Sequence, residues 1–298
     1  MKKNCGVASL IVVIFISACG RFHNKDVDGT KDIRIVCISK QLTEMVFALG
    51  KGHDIVARDL TSTYPDSAKL LPTVGYHRML SAEGIISMEP DAVIHSNDIG
   101  PETVLPQLKK VGIKTKAFGG ANTFDSAKLL LKELGNFFGV PARADSIVKK
   151  MDADMEAVYA AAKTITDTPT VMIIHYGQAN NNFFVMSGRK NGGPGDRMIK
   201  LAVGKPAVYD AKGARQISAE AVAEANPDVI IATDFGFDKM GGAENFKTLP
   251  GVGLTNAAKN NRIYRFEEHD LVYFGPRTAE NTLKLMKLIH RAVNVPSK

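Results

Sequence analysis

Three consecutive residues, Tyr76, His77 and Arg78, carry side chains that together suit an iron centre. A phenolate is a hard anionic donor matched to ferric iron. The free phenol titrates near pH ~10, so a neighbouring cation and the metal itself must favour its deprotonated form. Arg78 stands two positions from Tyr76, and in an extended loop residues i and i+2 point the same way, which would set the guanidinium beside the phenol. A guanidinium also grips a carboxylate bidentately, as an ammonium does less well. His77 is a competing iron ligand, but in the same extended loop it faces away and becomes a rim residue. A lone loop tyrosine has a plainer reading too, as an aromatic packed against its neighbours.

Other chemistry-bearing residues fall at element ends. His95 and His175 both close β-branched runs, and in open α/β sheets ligands lie beyond the carboxyl ends of the strands. His95 is expected to bond within Ser96, Asn97 and Asp98, and His269 reads as a loop residue. The stretch 180–195, with Arg189, is polar and rich in glycine but contains neither GxxxxGK[ST] nor GxGxxG, which excludes a nucleotide cradle and leaves a cleft-lining loop that continues to Arg197. Met79, Met186, Tyr273 and Phe274 read either as apolar walls for a ligand or as core. No Ser/His/Asp or Cys/His arrangement supports catalysis.

An internal echo supplies two more residues. Leu80, Ser81, Ala82, Glu83, Gly84 and Ile85 lead to Pro90, Asp91 and an apolar run, and Ile217, Ser218, Ala219, Glu220, Ala221 and Val222 lead to Pro227, Asp228 and another. Each copy reads as an N-cap serine, a short helix, a Pro-Asp turn and a buried strand. A carboxylate, Glu83 or Glu220, thus occupies the second helical position in both.

Stepwise alternation of β-branched runs and helical periods must position these groups. Strands are expected at 33–38, 55–57, 92–95 and 113–118, with helices near 82–88, 102–111 and 124–138 between or after them. One long helical pattern over 142–165 then carries an apolar stripe of Ile147, Val148, Met151, Met155, Val158, Ala162 and Ile165. Strands at 171–175, 229–233 and 262–266 and a helix over 278–293 follow. The expected fold is α/β, two Rossmann-like lobes with central parallel sheets, at 33–140 and 167–298, joined by one long helix at 141–166.

The chain has 298 residues, a soft prior for two domains, and 45% hydrophobic against 23% charged residues, which excludes disorder as the main state. Its 38 Lys and Arg against 31 Asp and Glu are spread rather than gathered, so nucleic acid is not indicated. Lys2 and Lys3 precede an apolar run over 6–16 that ends in Ile16, Ser17, Ala18 and Cys19, an arrangement that resembles the bacterial lipobox. Residues 1–18 are then a signal peptide, Cys19 the lipidated residue and 19–32 a flexible tether. Loss of Lys2 and Lys3 with the signal takes the formal charge from +7 to +5. Cys37 would be left as the only free thiol, a buried small hydrophobe within its strand.

The segments Leu71, Pro72, Thr73, Val74, Gly75, Tyr76, His77, Arg78, Met79, Leu80, Ser81, Ala82, Glu83, Gly84 and Phe274, Gly275, Pro276, Arg277, Thr278, Ala279 resemble the haem-binding branch of the class III substrate-binding proteins of bacterial ABC importers. The resemblance runs from about Ile33 to the end. It implies the class III periplasmic-binding-protein fold and a non-enzymatic, monomeric lipoprotein of the cell envelope, attached to the membrane only through its lipid. Such a protein captures haem between its lobes and delivers it to an ABC permease dimer with its ATPase. It further implies that Tyr76 is the axial iron ligand, with Arg78 as propionate or phenolate partner and His77 at the rim. His175 falls where some relatives serve a second stacked haem, but Tyr176, Gly177 and Gln178 replace their Gly pair, so a ligand contact and a plain strand-end histidine both stand. Glu83 and Glu220 match carboxylates that dock each lobe onto basic residues of the permease; such pairs are individually weak and mainly set orientation. A siderophore- or corrinoid-binding protein of the same fold is the nearest alternative, and a haem-modifying enzyme a more distant one.

Overall fold

Short apolar runs, buried on both faces, build the centre of the first sheet. In the computed structural model, strands β1 (Ile35–Ile38), β2 (Ile55–Arg58), β3 (Ala92–His95) and β4 (Lys114–Ala117) pair in the order β2-β1-β3-β4, all parallel. Every residue of β1 and β3 is buried, as a parallel sheet covered on both sides requires. The edge strand β4 is exposed, and its Lys114 and Lys116 discourage further pairing. The structure describes residues 33–177, 182–188, 192–208 and 215–291. The expected signal segment and tether, with Cys19, and Arg189 lie outside the described residues.

A second sheet is built from β5 (Thr170–Gly177), β6 (Asn182–Val185), β7 (Lys205–Pro206), β8 (Arg215–Ser218), β9 (Val229–Thr233) and β10 (Ile263–Phe266), in the order β10-β9-β5-β6-β8 with β7 paired to β5. Its β10-β9-β5 portion is parallel, whereas β6 and β8 run antiparallel. The centre of this sheet is parallel, as expected, and the antiparallel strands extend it on one side. Part of the stretch read as a cleft-lining loop is the strand β6, whose Phe183 and Val185 are buried, and the stretch runs on into the helix Pro194–Leu201.

Between the sheets runs the helix Pro141–Thr164, with proline in its first turn, where no N–H is needed. Ala144, Val148, Met151, Met155, Val158 and Ala161 form its buried stripe at steps of three and four. The helix packs against Phe124–Phe137 on one side and Thr278–Ile289 on the other. One apolar cluster continues from Ile35 and Leu42 through Met151 to Ile173, Phe274 and Ile289, so the sheets share a core. Cys37 is part of it, and burial pushes its thiol up to about 12, the behaviour of a structural residue. Among the described residues, no helix is long and apolar enough to cross a membrane.

The sequence echo has a structural counterpart. Asp91 accepts a hydrogen bond from the Arg34 N–H at 2.9 Å and returns its own N–H to the Arg34 carbonyl at 2.9 Å. Asp228 does the same with Thr170, at 2.9 Å and 3.0 Å. In each case the Pro-Asp turn locks the entry of the next strand to the start of the central one.

Candidate functional site

Tyr76 stands on a turn that long-range contacts hold in place. The Arg58 N–H donates to the Pro72 carbonyl, and Val74 donates back to Arg58, so residues 72–74 run alongside the end of β2. Gly75 then takes φ +100°, a conformation that L side chains rarely adopt, and turns the chain. A bond of 2.8 Å from the Met79 N–H to the Tyr76 carbonyl closes residues 76–79. Gly100 braces the turn: its N–H donates to the His77 carbonyl, its carbonyl accepts from Leu80, and an added Cβ would come within 3.0 Å of the Arg78 carbonyl oxygen.

The segment is therefore not extended, and the alternation expected for it does not hold. His77 does not face away: with its side chain 16% exposed, it lines the adjoining cavity. Its Nδ1 lies 3.8 Å from Asp59 and its Nε2 3.6 Å from Asp98. Tyr76 is 39% exposed and meets the His77 ring edge-on at a centroid distance of 4.5 Å. Arg78 is largely exposed and reaches Asp98 at 3.4 Å. Partial burial would raise the Asp98 carboxyl, but the Ser96 hydroxyl, His77 and Arg78 together hold it below the ordinary carboxylate value. Met79 is 78% exposed.

The cavity has a volume of about 350 Å³, within the range of small-molecule sites. It opens beyond the carboxyl ends of β1, β3 and β4, through Ser39 and Lys40, through Ser96 to Asp98, and through Gly120 to Asn122. Tyr273 brings the second half of the chain to its wall. Burial, with the negative charges of Glu268, Asp98 and Asp59, pushes the Tyr273 phenol well above its ordinary value, so it stays a neutral hydroxyl. His95 turns its Nδ1 to the Ser96 carbonyl at 2.6 Å, as expected from its place in the sequence.

In the second half of the chain, His175 near the end of β5 sits among aromatic rings. Phe235 stacks on it at 5.1 Å and 11°, and Phe184 meets it edge-on at 5.9 Å. The Thr233 hydroxyl lies 3.0 Å from both the His175 carbonyl oxygen and its Nδ1. Burial, helped by the positive charge of Lys40, pulls the imidazole below its ordinary value against the opposing charges of Glu268 and Asp234.

One helix supplies most of the polar bonds between the two halves. From Lys40–Ala48, Lys40 pairs with Glu268, Gln41 donates to the Phe274 carbonyl at 2.7 Å, and Glu44 receives the Arg277 guanidinium at 2.9 Å and 3.3 Å. Arg277 also pairs with Asp270 at 2.7 Å and lies over the Tyr64 ring at 3.6 Å. His269, read from sequence as a loop residue, is instead buried in the helix Glu268–Val272 and bonded to Glu44. Burial would raise Glu44, but His269 and Arg277 outweigh it and hold the carboxyl below its ordinary value. Arg197 adds a bond of 3.3 Å to the Asn122 carbonyl.

Sequence reasoning passed over Lys40, Gln41, Glu44 and Glu268. The available signal was position: polar residues in the first turns after the first parallel strand. Glu83 and Glu220, by contrast, are where the echo puts them, exposed in the first turns of Ala82–Ile86 and Ala219–Ala225. Ser81 and Ser218 cap those helices, accepting from Gly84 and Ala221. A bond with Ser218 holds the Glu220 carboxyl below its ordinary value.

Residues 35–269 match the protein family described as periplasmic binding protein. A substrate-binding lipoprotein of an ABC transporter from Bacillus subtilis (strain 168), YvrC, is 26% identical over 325 aligned residues, covering 97% of this chain and 98% of the relative. The vitamin B12-binding protein of Pectobacterium carotovorum subsp. carotovorum (strain PC1) is 28% identical over 112 residues, 38% of this chain and 40% of its own. Among solved structures, the apo form of the periplasmic heme-binding protein RhuT from Roseiflexus sp. RS-1 superposes with a TM-score of 0.78 at 31% identity, covering 86% of this chain and 97% of its own. The heme-binding protein BhuT in complex with two hemes superposes with a TM-score of 0.79 at 29% identity, over the same shares.

Proposed function

We propose, from the premise that this chain belongs to the periplasmic binding protein family and is a substrate-binding protein of an ABC transporter, that its cargo is haem. The haem is captured at the cavity between the two sheets and handed to the permease without chemical change. The observation that carries the reading is the presence of a phenol and a guanidinium on the four-residue turn 76–79, whose His77 lines that cavity. Likeness to heme-binding structures over 86% of the chain supports it, whereas the vitamin B12-binding relative matches only 38%.

In this reading Tyr76 ligates the ferric iron as phenolate, and Arg78 exchanges its long contact with Asp98 for the phenolate or a propionate. His77, wedged between Asp59 and Asp98, packs against the Tyr76 ring and fixes its direction. His175 meets the far face of the ligand together with Phe235 and Phe184. Glu83 and Glu220 dock the protein on the permease subunits. Residues 33–140 and 167–298 act as the two lobes, with the helix between them as a stiff link. Cys19 anchors the mature chain to the membrane through lipid.

Purified chain titrated with hemin is expected to give a high-spin ferric spectrum of the tyrosinate type. Tyr76→Phe, with His77 intact, is expected to lose that spectrum and roughly a hundredfold in affinity, about 2.8 kcal/mol. An unchanged spectrum would show the ligand to lie elsewhere. Hemin, cobalamin and a ferric siderophore tested side by side by thermal shift separate this reading from its corrinoid and siderophore alternatives. Repeated turnover of haem by the pure protein would point to an enzyme instead.

A further inference from the structure

Among the described residues, Lys40 is the only Lys or Arg that lines the cavity. It does not stand free. Its ammonium pairs with Glu268 from the other half of the chain, with both side chains 17% exposed, and it lies 5.7 Å from the centroid of the Tyr273 ring. Of the remaining ionisable groups of the wall, Tyr273 is a neutral phenol, while His77 and Asp98 face each other within the first half and Asp98 also meets Arg78. An anionic arm entering the cavity therefore meets neutral amides and hydroxyls, one carboxylate, and one cation that already holds a carboxylate.

Resting on the haem reading, we infer that Lys40 recognises one ligand carboxylate, and that Glu268 is its resting counter-ion, exchanged for that carboxylate on loading. The exchange conserves the charge count around the ammonium, so the half-buried lysine is never left unpaired, which is the costly state. Glu268 is free to release because its position rests on the backbone: its N–H donates to Asp234 Oδ1 at 2.7 Å just beyond β9. The exchange also links the two halves of the chain. Both Lys40 and Glu268 act electrostatically on His175, so an event at a first-half lysine changes the surroundings of a second-half imidazole. The resting pair acts as a selectivity filter as well, because a ligand without a carboxylate cannot displace Glu268 and gains nothing from Lys40.

Equilibrium titration tests this with hemin and with its dimethyl ester, in which both carboxylates are blocked. Lys40→Met is expected to weaken hemin binding about tenfold, the scale of one charge-assisted hydrogen bond. Glu268→Gln, which removes the competitor, is expected to tighten hemin about threefold. In the Lys40→Met background Glu268→Gln is expected to change nothing, since no ammonium remains to release. Wild-type protein is expected to bind the ester at least as weakly as Lys40→Met binds hemin. If Glu268→Gln weakens hemin in parallel with Lys40→Met, the pair is a strut and the inference fails. Equal wild-type affinity for hemin and its ester overturns it without any variant. If the wild type binds no hemin at all, the haem reading itself falls, an outcome distinct from hemin binding that ignores Lys40.

Discussion

Residues 81–91 and 218–228 are two copies of one local design, and they differ in what precedes them. Both begin with a serine whose hydroxyl caps a short helix, carry a glutamate in its first turn, and end with a left-handed residue before proline, Glu89 at φ 47° and Asn226 at φ 40°. Both then clamp the start of a central strand through an aspartate. Ahead of the first copy stands the turn with Tyr76, His77 and Arg78; ahead of the second stands β8, an antiparallel edge strand. The repeated parts hold sheets and present matching carboxylates, while the unrepeated part lies beside the cavity. Symmetry has been kept where a two-fold partner would need it and dropped where a single ligand would.

Breaking the repeated surface is expected to have the largest effect. Charge reversal of both Glu83 and Glu220 to lysine should nearly abolish ligand uptake in a reconstituted transporter, each single change should reduce it by a similar factor, and ligand affinity should stay constant. Strongly unequal single effects would mean that the two copies do not serve equivalent partners.

The two aspartate clamps come next. Asp228 accepts from the Thr170 N–H, from its hydroxyl at 2.8 Å and from the Asn256 amide at 3.3 Å, whereas among the described residues Asp91 accepts from the Arg34 N–H alone. Asp228→Ala is therefore expected to cost about 2–3 kcal/mol in chemical denaturation and Asp91→Ala about 1 kcal/mol. Partial burial would raise the Asp228 carboxyl, but its Thr170 and Asn256 bonds outweigh it and lower the value. A group depressed in the folded state stabilises fully above its unfolded value, and the contribution is lost as pH falls through the folded one. The stability gap between wild type and Asp228→Ala should accordingly be constant near neutrality and narrow below about pH 4.

The left-handed residues give the smallest effect. Asparagine tolerates this backbone region better than glutamate, so Glu89→Asn is expected to stabilise by about 0.5 kcal/mol, read as a small rise in melting temperature, while Asn226→Glu should destabilise by a similar amount.

What the sequence disclosed follows the range of the interactions involved. The echo, the central strands and the stripe of the long helix rest on contacts within a dozen residues or on buried periodicity, and the structure has them. Strands β6 and β8 escaped notice because their polar and glycine-rich flanks hide a short Phe183 and Val185 alternation. The loop at 76–79 gives no sign in the sequence of being a tight turn rather than extended, because Gly75 and Gly100, which shape it, act through backbone geometry rather than side-chain pattern. Lys40, Glu44 and their partners were invisible for a simpler reason: more than two hundred positions separate Lys40 from Glu268 and Glu44 from Arg277. The cavity itself, formed by strand ends and Tyr273, was legible only as a direction in which to look.

Gln41 ties the two halves without charge. Its amide gives both protons, to the Ala121 carbonyl at 2.9 Å and to the Phe274 carbonyl at 2.7 Å, and takes the Ala121 N–H at 2.9 Å. A neutral group with every proton committed has no counter-ions to shed and no charge to titrate. Salt and acid that loosen the neighbouring Glu44 and Arg277 would leave this tie at full strength, so the seam between the halves has a setting that its surroundings do not retune.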